Sequence, residues 1–388
     1  MAEEKNKNLS RSLPTGMEGE QKIKVCHILP TLNRGGAERV VADLILNLNR
    51  ERFAPSLILF QSGGAWLAEI TAENIPVTIL KKRGKFDPLN FWQIYRALKK
   101  IRPQIVHTHL GGDLYGRLAA KFLGVPVIIS TEHNINNDES RIQNILKKIS
   151  NRTANRVIAV SEAVKKDLIA RYDYPAEKVS VIMNGLDIEK FRPYLKNIGE
   201  GNTDLSSKMP VFGTLGRLNP QKGHFILIEA WKKLKNDAVC LISGSGPLAG
   251  ALEEKIKREG LEKKVKLIGP TSNPGAFLNS LDAFIFSSLW EGLGIVLLEA
   301  GLVGLPIIAS DIDGIREIIN SETGWPIPAG RPEKLAEQID WLISNLDNPI
   351  VKEKTERLRR RIISDFDIKK ITTEYQELYL DLFNNENK

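Results

Sequence analysis

The chain has 388 residues, 42% hydrophobic and 26% charged, with 55 Lys plus Arg against 47 Asp plus Glu and a formal net charge of +8. That length suits two domains and that composition a soluble globular fold, which excludes a disordered, collagenous or disulfide-stapled chain. The excess charge is confined to one half: residues 21–190 carry 26 basic and 16 acidic side chains, against 26 and 27 in residues 191–388. An anionic partner of the whole protein is therefore expected to meet the first half.

Residues 1–20 are polar and charged with no apolar run, so they read as a disordered tail and not as a signal peptide. Short apolar runs then alternate with helical periodicity. Strands are predicted at Ile23–Leu29, Pro55–Phe60, Val77–Leu80, Ile105–His107, Val127–Ser130, Val157–Val160 and Val179–Ile182. Helices are predicted at Ala37–Leu48, Pro88–Lys100 and Leu114–Leu123. The polar stretch Lys196–Lys208 lacks any apolar period and marks a linker, bounded at 191–208. Beyond it the same grammar resumes, with strands at Val211–Leu215, Val239–Ile242, Val265–Ile268, Ala283–Ser287 and Pro306–Ala309. Helices fall at Phe225–Leu234, Pro247–Arg258 and Ile295–Gly301, and from Pro332 onward the chain reads as helix throughout.

This alternation predicts an α/β protein of two doubly wound, Rossmann-like parallel sheets facing each other across a cleft, at 21–190 and 209–365. The last helix, about 366–388, is expected to pack back on the first domain. Cys26 and Cys240 lie in strand-like runs and read as small core residues. Leu293–Ala309, the longest apolar stretch, is broken by Glu299, glycines and Pro306, so no membrane span is expected.

Three segments carry chemistry. Gly216 follows a predicted strand, with Arg217 and Lys222 bringing two cations to the same edge. Glycines there let backbone amides approach a phosphate, and Arg and Lys suit its oxygens. Alone, a turn with two solvated cations explains the segment equally well. Gly244-Ser245-Gly246 forms a second glycine turn at a neighbouring strand end. Glu291 and Glu299 stand eight positions apart in an otherwise apolar segment. They are about 12 Å apart if wholly helical, a span that suits the two ends of one elongated ligand. A capping Glu291 and a salt-bridged Glu299 are the structural alternative.

Together with Gly304-Leu305-Pro306 and Asp313-Gly314-Ile315-Arg316-Glu317, these segments resemble the retaining glycosyltransferases of the GT-B fold, family 4. In the first half the resemblance rests on Gly35-Gly36-Ala37-Glu38-Arg39, His107-Thr108-His109, Val160-Ser161-Glu162 and Asn184-Gly185-Leu186-Asp187. It implies transfer of a sugar from a UDP- or GDP-sugar to a glycan acceptor. Arg217 and Lys222 would hold the donor diphosphate, Glu299 the ribose, and Glu291 with the backbone of Gly292, Leu293 and Gly294 the sugar. Gly35, Gly36, Gly216, Gly244 and Gly246 would line the donor site, and His109 would contact the sugar. Glu291, His109, Arg217 and Lys222 are thus the catalytic candidates. The resemblance implies front-face attack, with neither a nucleophile nor a separate base named. Leu293 stands where relatives often carry Phe.

His133 and Asn134 are assigned to the acceptor side, whereas His107 is read as structural, facing away from His109. A packed or capping His109 is the alternative to its sugar contact. Asp311 and Asp313 superficially suggest a metal pair but fit a turn, so no metal and no cofactor are expected. The clusters Lys81-Lys82-Arg83 with Lys85, Lys99-Lys100 with Arg102, Lys147-Lys148 and Lys165-Lys166 suit an anionic inner-leaflet surface. Phe86, Phe91 and Trp92 would add an apolar contact. The expected location is cytoplasmic and peripheral on that membrane, and the expected acceptor is a lipid-linked intermediate of cell-envelope polysaccharide or lipopolysaccharide synthesis. Alternatives are a GT-B sugar-nucleotide epimerase and a non-catalytic sugar-nucleotide-binding subunit. Asn33-Arg34-Gly35-Gly36 departs from G-x-G-x-x-G, which disfavours a Rossmann oxidoreductase, and no RNA-binding or helix-turn-helix pattern favours nucleic acid.

Overall fold

A computed structural model describes residues 21–81, 88–110, 113–135, 141–196 and 209–386. The first domain runs β1 (Ile23–Leu29), α1 (Gly36–Asn47), β2 (Phe53–Leu59), α2 (Leu67–Ala72), β3 (Val77–Ile79), α3 (Pro88–Ile101), β4 (Ile105–His109) and α4 (Asp113–Phe122). It continues through β5 (Val127–Glu132), α5 (Arg141–Ser150), β6 (Arg156–Ala159), α6 (Glu162–Tyr172), β7 (Val179–Val181) and α7 (Ile188–Phe191). The second runs β8 (Val211–Leu215), α8 (His224–Lys232), β9 (Val239–Ser243), α9 (Ala249–Arg258), β10 (Val265–Gly269), α10 (Pro274–Asn279) and β11 (Ala283–Phe286). After it come α11 (Ile295–Val303), β12 (Ile307–Ser310), α12 (Asp313–Arg316), β13 (Trp325–Ile327), α13 (Pro332–Ile343), α14 (Pro349–Asp365) and α15 (Ile368–Glu386).

Every strand pairing is parallel, in the orders β3-β2-β1-β4-β5-β6-β7 and β10-β9-β8-β11-β12-β13. Central strands are buried on both faces, which is why they read as unbroken apolar runs. β2 begins two residues before the predicted Pro55. The proline is tolerated because β3 reaches only Leu57–Leu59, leaving β2 locally an edge. β13 escapes prediction: three residues containing Pro326 carry no period.

The chain crosses between domains twice at one place. Leu186 N donates to Phe366 O at 2.8 Å and Ile368 N to Leu186 O at 3.0 Å. A Cβ on Gly185 would press 2.8 Å from Ile368 Cα, so glycine lets the two crossings touch. Beyond the crossing, α15 lies on the first sheet. Ile371, Tyr375, Tyr379 and Leu382 share a core with Ile23, Val25, Phe53, Ile105 and Ile129. Residues 191–196, inside the expected linker, pack on the second domain: Asn273 Nδ2 donates to Tyr194 Oη at 2.7 Å, and Lys196 N to Val303 O at 2.9 Å. Residues 197–208 and the N-terminal 1–20 lie outside the described residues. Another apolar cluster passes unbroken from Val157 and Val164 of the first domain to Leu297, Ile315 and Ile362 of the second.

Candidate active site

In each sheet the strand order reverses between two neighbours, β1 and β4 in the first domain and β8 and β11 in the second. Loops leaving such strands diverge to opposite faces and open a crevice at their carboxyl ends, where open α/β sheets bind ligands. Gly35 and Gly36 follow β1, His109 ends β4, Gly216–Lys222 follows β8 and Glu291–Gly294 follows β11. Topology therefore gathers residues scattered over more than 250 positions of sequence.

These loops also touch across the cleft. A Cβ on Gly36 would lie 3.3 Å from Ile295 Cδ1, and one on Gly292 would strike the His133 carbonyl. Gln221 Nε2 donates to Trp290 O at 3.0 Å and approaches Asn134 Oδ1 at 3.4 Å. His133 and Asn134 thus sit against the donor-side loop. Farther along, the Glu317 carboxylate accepts from the amides of Glu162 and Ala163, at 3.1 Å each, and caps α6 from the other domain.

The two glycine turns of the second domain lie against each other. Gly216 N donates to Ser243 O at 3.0 Å and Leu218 N to Ser245 O at 2.9 Å. A Cβ on Gly244 or Gly246 would collide with the carbonyl of Gly216 or Leu218, respectively. Lys222 reaches Glu291 in an ion pair, and its Nζ stands 4.8 Å over the Phe286 ring. Ser288 Oγ donates to the same Glu291 oxygen at 2.9 Å. Glu291 is only 6% exposed, so this ion pair is a shielded one. Leu293 turns into the core. Gly294 has φ of +73° at the start of α11, a conformation that favours glycine. Arg217 is exposed, and its charge acts across the cleft on Glu38, countering the upward push of burial on that carboxyl.

Glu299 lies in the middle of α11, eight positions after Glu291, and faces α1. Burial and the neighbouring Asp43 carboxylate raise its pKa to about 7, against the pull of Arg39. Arg39 forks onto Asp43 and onto Glu69, at 2.8 Å for the latter, and Lys190 of α7 joins both carboxylates. Among the described residues Glu299 makes no ion pair, and the nearby Arg39 and Lys190 are engaged by Asp43 and Glu69.

Four of the chain's five histidines meet at the first-domain edge of the crevice. His27 Nδ1 lies 3.1 Å from His109 Nε2, and His109 Nδ1 lies 3.4 Å from His133 Nε2. His107 binds Tyr379 Oη and Thr131 Oγ1, each at 2.7 Å. The expectation that His107 faces away from His109 is wrong. Residues two apart on a strand share a face, and their ring centroids are 4.0 Å apart. β4 also runs to His109, not His107. His27 joins this group without any motif to mark it beyond a histidine amid the apolar run of β1. Asp311 and Asp313 both pair with Arg316, at 2.5 and 2.7 Å.

The basic clusters differ in kind. Lys147 is committed to buried Glu132 at 3.1 Å and to the Tyr172 ring, and Lys148 pairs with Asp173. Lys99, Lys100, Arg102 and Lys121 are exposed. Beside them Trp92 is 53% and Phe122 74% exposed, with Phe91 in edge contact with both. Lys82–Phe86 lie outside the described residues.

Family comparisons agree with this architecture. Residues 34–190 match the model described as Glycosyltransferase Family 4, and residues 200–363 that described as Glycosyl transferases group 1. The chain is 29% identical over 393 residues to a UDP-Gal:alpha-D-GlcNAc-diphosphoundecaprenol alpha-1,3-galactosyltransferase of Escherichia coli, covering 94% of this chain and 98% of that one. It is 27% identical to an N-acetylgalactosamine-N,N'-diacetylbacillosaminyl-diphospho-undecaprenol 4-alpha-N-acetylgalactosaminyltransferase of Campylobacter jejuni, over 75% of this chain and 82% of that one. Among solved structures, a Rickettsia africae glycosyltransferase superposes with a TM-score of 0.80 at 25% identity, covering 94% of this chain and all of that one. Anabaena Alr3699/HepE in complex with UDP and glucose superposes with a TM-score of 0.80 at 23% identity, covering 92% of this chain and all of that one. The chain belongs to glycosyltransferase family 4 and is a GT-B glycosyltransferase.

Proposed function

We propose that the enzyme transfers a hexose-type sugar, with retention of configuration and without a metal, from a UDP-sugar to a polyprenyl-diphosphate-linked glycan of the cell envelope. One observation carries the reading: Lys222 and Glu291 form a largely buried ion pair at the crevice, with the Lys222 side chain lying against Gly216. Departure of the nucleotide leaves positive charge on the sugar and negative charge on the diphosphate. A cation beside a carboxylate, both largely dehydrated, matches that separation. Lys222 and Arg217 take the diphosphate, Glu291 faces the sugar, and Glu299 takes the ribose hydroxyls. The choice of UDP and of a polyprenyl-linked acceptor follows the names of the Escherichia coli and Campylobacter jejuni relatives and the UDP bound to the Anabaena protein.

The exposed Trp92 and Phe122, with the exposed Lys99, Lys100, Arg102 and Lys121 on the same two helices and their ends, are the surface that brings the enzyme to an anionic membrane where such an acceptor resides. No helix among the described residues is long and apolar enough to cross a membrane. The test of the activity is a panel of UDP- and GDP-sugars read by thermal shift and by slow donor hydrolysis. One UDP-sugar should stabilise the protein and be hydrolysed, and Glu291→Ala should abolish the hydrolysis. Equal indifference to every sugar nucleotide would refute the reading.

A further inference from the structure

Gln221 is fastened to the loop that carries Glu291. Leu289 N donates to the Gln221 carbonyl at 2.7 Å, Gln221 Nε2 donates to Trp290 O at 3.0 Å, and the adjoining Lys222 pairs with Glu291. Ser287 Oγ donates to the Lys222 carbonyl at 3.0 Å. The loop after β8 is thus laid in register along the loop after β11. The same Gln221 nitrogen faces Asn134 Oδ1 of the first domain at 3.4 Å. That oxygen is identified by its other contact, the Ile135 amide, which donates to it at 2.9 Å. Both neighbours of Gln221 Nε2 are therefore acceptors. A primary amide nitrogen has two hydrogens and serves both at once, which a carboxylate of the same length cannot do.

The Glu291 loop has little other freedom. A Cβ on Gly292 would strike the His133 carbonyl, and one on Gly314 would strike the carbonyls of Glu291 and Gly292. Backbone therefore presses on Glu291–Gly292 from the first domain and from α12, and Gln221 adds a polar constraint from the loop after β8. We propose that Gln221 is a positioning residue that couples the two sides of the cleft. It holds Trp290, and with it Glu291, in register with Lys222, and its reach to Asn134 makes that register depend on the acceptor-side loop. The two contacts differ in kind. The 3.0 Å one lies within the second domain, whereas the 3.4 Å one spans the cleft and is long for a hydrogen bond, so a small approach of the first domain tightens it. This rests on the reading of Lys222 and Glu291 as the diphosphate and sugar contacts and of Asn134 as acceptor-side. The competing role for Gln221 is a staple between two loops of one domain, with Asn134 a bystander.

A double-mutant cycle in the full-length protein separates the two roles. Its readout is hydrolysis of the UDP-sugar that the donor panel selects, which needs no acceptor. Gln221→Met keeps the length of the side chain and removes both N–H groups. Its kcat should fall roughly 10- to 100-fold with little change in donor KM, the scale on which a displacement of about 1 Å acts in an active site. Asn134→Ala should lower kcat severalfold in the wild-type background and cause no further loss in Gln221→Met, because residues that act through one contact are not additive. Gln221→Glu is the closer isostere, yet it should be less active than Gln221→Met, since it sets a carboxylate against two acceptor oxygens. The same cycle with Gln221→Ala serves if circular dichroism shows that methionine disturbs the fold. Wild-type hydrolysis in Gln221→Met, additive losses in the cycle, or a fully active Gln221→Glu would each overturn the proposal. Full hydrolysis in Glu291→Ala would instead refute the assignment of the donor site on which it rests.

Discussion

Replacing Glu299 by glutamine tests the electrostatics of the cleft quantitatively. The carboxyl ionises near 7 in the folded protein and at 4.5 when unperturbed, because burial and Asp43 disfavour its charge. A folded pKa above the unfolded one means the native state binds the extra proton between those values. Stability contributed by protonated Glu299 is therefore complete below about 4.5, is lost as pH rises to about 7, and stays lost above it. A rise from 4.5 to about 7 corresponds to about 3 kcal/mol. Between pH 5 and pH 8 the change is about 2.5 kcal/mol at most, and ~1–2 kcal/mol is expected because the half-buried side chain faces a cleft that admits water. Glutamine removes this dependence. Denaturant unfolding of wild type and Glu299→Gln at pH 5 and pH 8 yields a double difference that cancels every other titrating group. The variant should gain ~1–2 kcal/mol on the wild type at pH 8 relative to pH 5. An equal difference at both pH values would refute the reasoning. On the proposed contact of Glu299 with the ribose hydroxyls, which would favour its ionised form, protons should be released when UDP binds near pH 6.5. Calorimetry in buffers of different ionisation heat reads that release directly.

Lys222→Ala should lower donor turnover roughly 10²–10³-fold, as loss of a preorganised charge at the leaving group does, while circular dichroism stays native. Its melting temperature should also drop, since Glu291 keeps only Ser288 as a partner in a shielded site. Gly223→Ala should destabilise the second domain measurably in denaturant unfolding, because φ is +64° and the added methyl would collide with the Ser287 carbonyl. Trp92→Ala with Phe122→Ala should reduce co-sedimentation with anionic vesicles severalfold and leave hydrolysis of a soluble donor unchanged. Unaltered co-sedimentation would remove that face from the membrane contact.

Much of the architecture is a local matter, and local patterns are legible. Val211–Leu215 and Ile23–Leu29 are apolar runs of strand length ended by Gly216 and by Pro30, and both were bounded correctly. Gly35, Gly36, Gly216, Gly244 and Gly294 announce turns because the backbone there must approach something closely. Even the pair Glu291 and Glu299 stands out, since carboxylates are costly in an apolar helix and imply a purpose. What no local pattern contains is the partner. That Lys222 answers Glu291, that Gly36 abuts Ile295, and that Tyr375 and Tyr379 of the last helix close over His107 depend on the order of strands in two sheets.

Net charge illustrates the same division. The +8 of the chain and its confinement to the first half are properties of sequence alone. Only the folded structure separates Lys147, spent on buried Glu132, from Lys99 and Lys121, which are exposed. The histidines make the case most sharply. Sequence determines that there are five, whereas the structure extends β4 to His109 and sets His107 and His109 on one face. Tertiary structure decides that four meet in one buried array, because their contacts are made between neighbouring strands and with the last helix.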